Sequence, residues 1–218
     1  MRHCMAKPMN PALAVLALTI VAAMVISGCT EKPGEAGHAD ERREISAFVN
    51  GVSVYADEVD SEYSTLTPEQ QALLTKADAL SFLIEREILY RESVKERVVV
   101  SDEEAAAGYE QFLAANNVTE TELATANVSA EKVKSALRKQ LQIDKLLDAK
   151  VPKNFVIKRK DVEAVYNSSI FASRGISIEQ AEKGIVDLLT AQRQQAARDG
   201  YIAALKDEAD VLIVSVPR

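Results

Sequence analysis

The stretch "SAFVNGVSVYADEVDSEY", residues 46–63, predicts a tight β-hairpin that runs directly into a helix. Two short apolar runs flank Asn50 and Gly51, a dipeptide that tolerates the positive φ angles required at both central positions of a type I′ turn. Asp57 and Glu58 then fall in the expected first helical turn, where carboxylates interact favourably with the helix dipole. The folded part of the chain therefore begins with this hairpin.

A further strand is predicted at the far end of the chain, in "DVLIVSV" (Asp210 to Val216). This segment is apolar and β-branched, too short for a helix, and bounded by Pro217. An isolated two-stranded hairpin is marginally stable in water, so the N-terminal hairpin needs a partner strand. We expect the two ends of the domain to meet in one small sheet.

Helical patterns occupy the chain between these strands. Thr67, Pro68 and Gln70 form a capping box with proline at the first helical position, which predicts a long helix from residue 68 to about 97. Apolar residues on two flanks of this helix indicate that it packs between neighbours. They are Leu80, Leu83, Ile84 and Ile88 on one stripe and Phe82 and Leu89 on the other.

The remaining helices are predicted from the same signals. Ser101 with Glu104, and Thr119 with Glu122, repeat the capping box. The predicted helices run from Ser101 to about Asn116, over a shorter segment after Thr119, from Ser129 to about Val151, from Asp161 to Tyr166, and onward from Ser177 or Ile178.

Residues 1–28 have the three parts of an export signal, with Arg2 and Lys7 before an apolar run that ends in small residues. Ile26-Ser27-Gly28-Cys29 resembles the prokaryotic lipobox, which implies cleavage before Cys29 and lipid attachment to its sulfur. Residues 29–44 are polar and lack apolar periodicity, so we expect a flexible tether. The alternative is an uncleaved signal anchor with an incidental cysteine.

The composition excludes several classes of function. The 218-residue chain has a formal net charge of −7, which disfavours nucleic acid or an anionic membrane surface as the main partner. Its histidines, His3 and His38, lie in the leader and the tether, so neither a Cys/His or Ser/His catalytic site nor a histidine-containing metal site is expected. No phosphate-binding glycine loop is present. We therefore expect no enzymatic activity, no cofactor, no metal and no small-molecule substrate.

Other candidate motifs have ordinary structural interpretations. The carboxylates Asp102, Glu103 and Glu104 lie in a predicted first helical turn, where capping explains them. Three segments match the N-glycosylation sequon, and the sequence leaves open whether any is used. Their acceptor residues are Asn117, Asn127 and Asn167.

Several segments in order resemble the SurA/PrsA family of envelope chaperones. These are "FVNGVSVYADEVD", "ALSFLIEREILYRESVKERVVVSDEE", "SAEKVKSALRKQLQIDKLLDAKV", "KRKDVEAVYNSS" and "YIAALKDEADVLIV". The resemblance covers residues 45–218 and implies a mainly helical SurA-N/trigger-factor-C-like chaperone domain, with its hairpin and C-terminal strand in one small sheet. Many members insert a parvulin-type prolyl isomerase domain after the helix matching Asp161 to Tyr166. Only about ten residues follow here, which implies binding without isomerase activity.

Together with the lipobox and the absence of a nucleotide-binding motif, the resemblance predicts a lipid-anchored, ATP-independent chaperone for unfolded exported polypeptides on the extracytoplasmic side of the envelope. Peptide binding would then use apolar side chains at helix ends and in loops. The candidates are Phe112, Leu113, Phe155, Tyr166, Ile170 and Phe171. The same residues can instead belong to the core. A second hypothesis is a non-catalytic accessory subunit that docks one dedicated partner in an envelope complex.

Overall fold

A computed structural model describes residues 43–126 and 128–217 of the chain. The predicted leader (1–28), the lipid attachment at Cys29 and most of the predicted tether lie outside the described residues, so they stay predictions. The chain divides into two compact units. The first comprises the described residues up to Asp144 together with those from Ala209 onward, and the second comprises Lys145–Glu208.

The predicted hairpin is confirmed. Strand β1 (Ile45–Val49) pairs antiparallel with β2 (Val52–Tyr55), and the turn between them has φ angles of 49° at Asn50 and 80° at Gly51. Helix α1 (Ala56–Ser64) follows β2 without a loop, as the acidic first turn predicts. The hairpin and α1 therefore form one continuous unit at the start of the fold.

The last two residues assigned to the tether contact this hairpin. The Arg43 guanidinium donates hydrogen bonds to Asp57 at 2.7 and 3.0 Å and lies 3.9 Å from the centre of the Tyr55 ring. The Ala56 N–H donates to the Glu44 carbonyl at 2.8 Å. Arg43 and Glu44 are therefore bonded to the start of α1.

The C-terminal strand pairs with the N-terminal hairpin, as predicted. Strand β3 (Val211–Ile213) runs antiparallel to β1, with Val211 opposite Val49 and Ile213 opposite Ala47, and the sheet order is β2-β1-β3. The two ends of the described chain therefore meet in one small sheet.

Strand β3 is shorter than the predicted segment 210–216. The register of β1 against β2 shifts between Ile45 and Ala47, which marks an irregularity at Ser46. Opposite it, the N–H groups of Val214 and Ser215 both donate to the Ser46 carbonyl, at 2.8 and 3.1 Å. Two donors on one acceptor break the regular ladder, so the strand ends at Ile213.

The single long helix predicted over residues 68–97 is wrong, because the chain forms two helices there. Helix α2 (Pro68–Gln71) is one turn long, and α3 (Lys76–Lys95) begins after a short loop. The loop ends in another capping box: Thr75 Oγ1 accepts from the Asp78 N–H at 3.3 Å, and Asp78 accepts from the Thr75 N–H at 2.7 Å. These local bonds compete successfully with a continuous helix.

Helix α3 packs against β1 and α1, and most of its predicted apolar residues are buried. The buried residues are Leu80, Leu83, Ile84, Ile88 and Leu89. Phe82 is 47% exposed, so its prediction as part of a packed flank is wrong. At the α1–α3 contact, Arg86 donates to the largely buried Glu62 carboxylate at 3.0 Å.

The next helices begin and end as predicted. They are α4 (Asp102–Asn116), α5 (Glu120–Thr125) and α6 (Ala130–Lys150). Ser101 and Thr119 cap α4 and α5, and Asn117 ends α4 in the left-handed conformation with φ of 52°. A core cluster joins these helices in the first unit, formed by Tyr109, Phe112, Leu123, Val128 and Val133.

The second unit contains two further helices with their own core. Helix α7 covers Arg159–Ser168, which is longer than the predicted 161–166, and α8 covers Ile178–Glu208. Between them the structure has only a short connection with a 3₁₀ turn at Ala172–Arg174. Val162, Ala181 and Ile185 form the buried centre where α7 packs on α8.

Candidate peptide-binding surfaces

Two of the six sequence-predicted binding residues lie at the core of the first unit. Phe112 is 7% exposed and packs with Tyr109 and Leu123, and Leu113 packs against the same cluster. The amphipathic spacing of α4 directs both side chains inward. Phe112 and Leu113 therefore pack in the core and are not among the exposed apolar residues described below.

Two more predicted residues stabilise the second unit. Tyr166 and Phe171 are partly buried against the cluster around Val162. The Tyr166 hydroxyl donates to the Ile176 carbonyl at 2.9 Å, which fixes the end of the α7–α8 connection. Both rings therefore help to define the connection and expose only part of their surface.

Ile170 is the predicted residue that the structure exposes most, at 56%. Its carbonyl accepts from the Arg174 N–H at 3.1 Å and from the Ser173 hydroxyl at 2.8 Å. The Phe171 N–H also donates to the Ser169 hydroxyl at 3.3 Å. A bonded turn therefore presents the Ile170 side chain to solvent, and little entropy would be lost on contact with a partner.

Val156 is a second exposed apolar residue in this unit, and the sequence reasoning missed it. It is 81% exposed, whereas Phe155 and Ile157 on either side are partly buried. Arg193 on α8 donates to the Val156 carbonyl at 2.8 Å and to Asp161 at 2.7 Å, which fixes the segment. Successive side chains of an extended segment point to opposite sides, so the sequence could have predicted that Val156 points away from the side on which Phe155 lies.

A third group of exposed apolar side chains, after Ile170 and Val156, lies along the C-terminal strand in the first unit. The sequence reasoning interpreted this strand only as a sheet partner. The structure exposes Leu212 by 59%, Ile213 and Val214 by 56%, and Val216 by 45%. Leu73, in the loop between α2 and α3, is also 84% exposed. Apolar side chains at a sheet edge are a common feature of protein interaction sites.

The charged groups of the second unit form an ion-pair network beside the α7–α8 core. Arg159 donates to Glu163 at 3.2 Å and to Glu182 at 3.1 Å. The hydrogen bond to Glu163 and the charge of Glu182 raise the pKa of this guanidinium. All of these groups are exposed, so the network orients α7 on α8 and contributes little to the free energy of unfolding.

The described residues contain no group of three or more histidine, cysteine, aspartate or glutamate side chains placed to hold a metal ion. Among the same residues, no helix combines the length and apolar character needed to span a membrane.

Of the three sequons, Asn117 ends α4, Asn167 is exposed on α7, and Asn127 lies outside the described residues.

Comparison with solved structures identifies the fold. A chain from Campylobacter jejuni matches with a TM-score of 0.56 and 12% sequence identity, over 78% of this chain and 99% of that chain. It is described with the virulence factor PEB4 and the periplasmic protein Cj1289, two structurally related SurA-like chaperones. No protein-family model and no curated protein sequence matches the chain. The chain therefore has the SurA-like chaperone fold, as the sequence resemblance implies.

Proposed function

We propose that this protein is an ATP-independent chaperone that binds unfolded exported polypeptides outside the cytoplasm, anchored to a membrane by lipid on Cys29. The observation that carries the proposal is a SurA-like fold in which large apolar side chains are exposed on segments fixed by hydrogen bonds. Ile170 and Val156 are the main examples in the second unit. An extracytoplasmic location is supported by the export signal predicted over residues 1–28 and by the periplasmic protein among the described relatives.

The short α7–α8 connection supports binding without isomerisation. Many members of the family that the sequence resembles carry a prolyl isomerase domain at this point. Here α7 ends at Ser168 and α8 begins at Ile178, and a 3₁₀ turn fills the space between them. The proposed activity is therefore holding of unfolded chains.

The exposed apolar residues suit weak binding to many sequences. Burying a half-exposed aliphatic side chain contributes about 1 kcal/mol, and the entropy of association opposes binding, so a few such contacts bind a client only weakly. Contacts of this kind do not discriminate between sequences, because any apolar segment can supply them. Weak and general binding lets an exported chain dissociate and fold.

The test is direct binding to a permanently unfolded protein, such as a reduced and carboxymethylated polypeptide with a fluorescent label. We expect saturable binding without nucleotide. Replacing Val156 and Ile170 together by serine removes about 2 kcal/mol of apolar contact, so affinity should fall about 10- to 30-fold. Fluorescence anisotropy measures both dissociation constants.

The matched control is Leu73→Ser, which removes an equally exposed apolar side chain from the loop before α3. We expect no change in affinity for this variant. An equal loss in Leu73→Ser would mean that binding depends on total apolar exposure and not on Val156 and Ile170 in particular. If the wild-type protein binds no unfolded polypeptide and co-purifies with one folded partner, the accessory-subunit hypothesis replaces the chaperone proposal.

A further inference from the structure

Strand β3 lies at the outer edge of the sheet. In the described part of the chain the sheet order is β2-β1-β3, so β3 pairs with β1 on one side. Edge strands present backbone groups to which another extended chain can bind. The direction in which each N–H and carbonyl group of β3 points decides which residues can bond to another chain.

The hydrogen bonds at both ends of the β1–β3 ladder fix those directions. The Asn50 N–H donates to the Asp210 carbonyl at 2.8 Å, and the Val214 N–H donates to the Ser46 carbonyl at 2.8 Å. Bonds between antiparallel strands recur at every second residue, so Leu212 also bonds to β1, opposite Phe48. The N–H and carbonyl groups of Val211 and Ile213 therefore point to the outer edge.

The side chains along this edge are apolar on both faces of the sheet. Leu212, Ile213 and Val214 are each more than half exposed. Natural edge strands are protected by short length, a lysine, a proline, a bulge or a covering element. Strand β3 is three residues long, and the irregularity at Ser46 adjoins one of its ends. The segment from Val211 to Val214 contains neither a charged residue nor a proline, so its sequence favours addition of another strand.

Carboxylates at both ends of the strand indicate the charge of the occupant. Asp210 precedes β3 and is exposed, and the structure shows no ion pair for its carboxylate among the described residues. At the other end, the Glu44 carboxylate accepts from the Ser215 hydroxyl at 3.1 Å. Parallel or antiparallel pairing of two copies would bring carboxylates toward carboxylates. A segment flanked by lysine or arginine would instead be complementary.

The exposed area also argues against a second copy as the occupant. Four half-exposed aliphatic side chains, those of Leu212, Ile213, Val214 and Val216, offer on the order of 200 Å² of apolar surface. A stable protein–protein interface buries about 800 Å² on each partner. The edge is therefore suited to a short peptide segment that binds weakly and reversibly.

We propose that an extended apolar segment of an unfolded polypeptide, flanked by basic residues, adds as a fourth strand to the outer edge of β3. Its backbone bonds to the N–H and carbonyl groups of Val211 and Ile213, and its basic flanks lie near Asp210 and Glu44. This inference rests on the proposed chaperone function and specifies how the client is bound. Backbone bonding explains how clients of different sequence would bind at this edge, in addition to their contacts with Val156 and Ile170.

Amide hydrogen exchange of the full-length protein, purified as the cell processes it, tests the proposal. The probe is a synthetic peptide, Lys-Val-Thr-Val-Thr-Val-Lys, in saturating amount. We expect exchange at the Val211 and Ile213 amides to slow at least tenfold. The Leu212 amide is already bonded to β1, so its exchange should change little.

Two variants at one position separate backbone bonding from apolar contact. Ile213→Pro removes an outward N–H and no β1–β3 ladder bond, so peptide affinity should fall at least tenfold with little change in unfolding. Ile213→Thr keeps the N–H and reduces apolar contact, and we expect a loss of about threefold or less. Equal losses in the two variants would overturn backbone bonding.

Other outcomes would also overturn the proposal. If the peptide or the labelled unfolded protein binds while exchange at Val211 and Ile213 is unchanged, the β3 site is wrong and the chaperone proposal stands. Protection that grows with protein concentration without peptide would identify a second copy as the occupant. Equal affinity for a glutamate-flanked peptide would overturn the assignment of basic flanks. Failure to bind any unfolded polypeptide would overturn both proposals.

Discussion

Asn50 and Gly51 both have positive φ angles, and the hairpin depends on them. Glycine adopts such angles without steric cost, whereas alanine at φ of 80° is strained. Gly184, by contrast, lies within α8, where a Cβ atom would meet nothing within 4 Å and alanine favours the helix. The same substitution should therefore have opposite effects at the two positions.

We predict that Gly51→Ala lowers the free energy of unfolding by about 1 kcal/mol and that Gly184→Ala raises it by about 0.5–1 kcal/mol. Urea unfolding followed by circular dichroism measures both changes. A stabilising Gly51→Ala would contradict the assignment of the turn. A destabilising Gly184→Ala would contradict the helical environment of that residue.

Capping carboxylates determine the predicted response to acid. Hydrogen bonds from Thr75 lower the pKa of Asp78, and backbone and side-chain hydrogen bonds from Thr119 lower the pKa of Glu122. A carboxylate with a lowered pKa contributes stability that is fully present above its unfolded pKa. That contribution is lost as the pH falls through the folded pKa.

We therefore predict that the free energy of unfolding is nearly constant from pH 7 to 5 and falls below about pH 4. Glu122→Gln should reduce the size of this fall, because its amide does not titrate. Glu110 is exposed within α4 and lies outside its first turn, so Glu110→Gln is the matched control. Equal pH profiles for Glu122→Gln and the wild type would contradict the capping role.

At the scale of elements, the ion pair between α1 and α3 is the polar contact with the clearest expected effect. Arg86 donates to Glu62 at 3.0 Å, and the Glu62 side chain is only 10% exposed. Removing Arg86 would leave a largely buried carboxylate without this partner. We predict that Arg86→Ala lowers the free energy of unfolding by about 2 kcal/mol.

A double-mutant cycle with Glu62→Gln tests that prediction. The double variant should be more stable than Arg86→Ala alone, because glutamine leaves no buried charge. Arg91→Ala is the control, since Arg91 pairs with Glu87 on the surface of α3. Additive effects of Arg86→Ala and Glu62→Gln would rule out coupling between the two side chains.

Most elements of this fold could be predicted from the sequence because their signals are local. The Asn50-Gly51 turn and the capping boxes at Ser101 and Thr119 specify backbone conformation within a few residues. The break before α3 was missed, although Thr75 and Asp78 form the same kind of box. A continuous helical pattern over residues 68–97 concealed it.

The candidate surface was harder to predict, because exposure depends on contacts between distant segments. Phe112 and Ile170 are both large apolar residues near helix ends, yet Phe112 is buried and Ile170 is exposed. Strand β3 shows the same difficulty: its apolar sequence predicts a strand but not its exposure, which follows from its position at the sheet edge. Sequence patterns therefore predict the helices and strands better than they predict which apolar side chains are exposed.

At the scale of the whole molecule, the first prediction concerns the anchor. We predict that Cys29→Ser leaves the protein unlipidated and releases it from the membrane fraction, because diacylglyceryl transfer requires the thiol. Metabolic labelling with a radioactive fatty acid and membrane fractionation measure the two effects. A Ser27→Ala variant, which keeps the thiol and a small residue, should remain labelled. Unchanged labelling of Cys29→Ser would contradict the lipid anchor.

The central claim is that a SurA-like fold with fixed apolar surfaces holds unfolded chains without nucleotide. The most direct measurement is light scattering during aggregation of three unrelated unfolded proteins, with the chaperone added at increasing ratios and no ATP. We predict suppression of all three near a one-to-one ratio. Absence of suppression at a severalfold excess for all three proteins would contradict the claim.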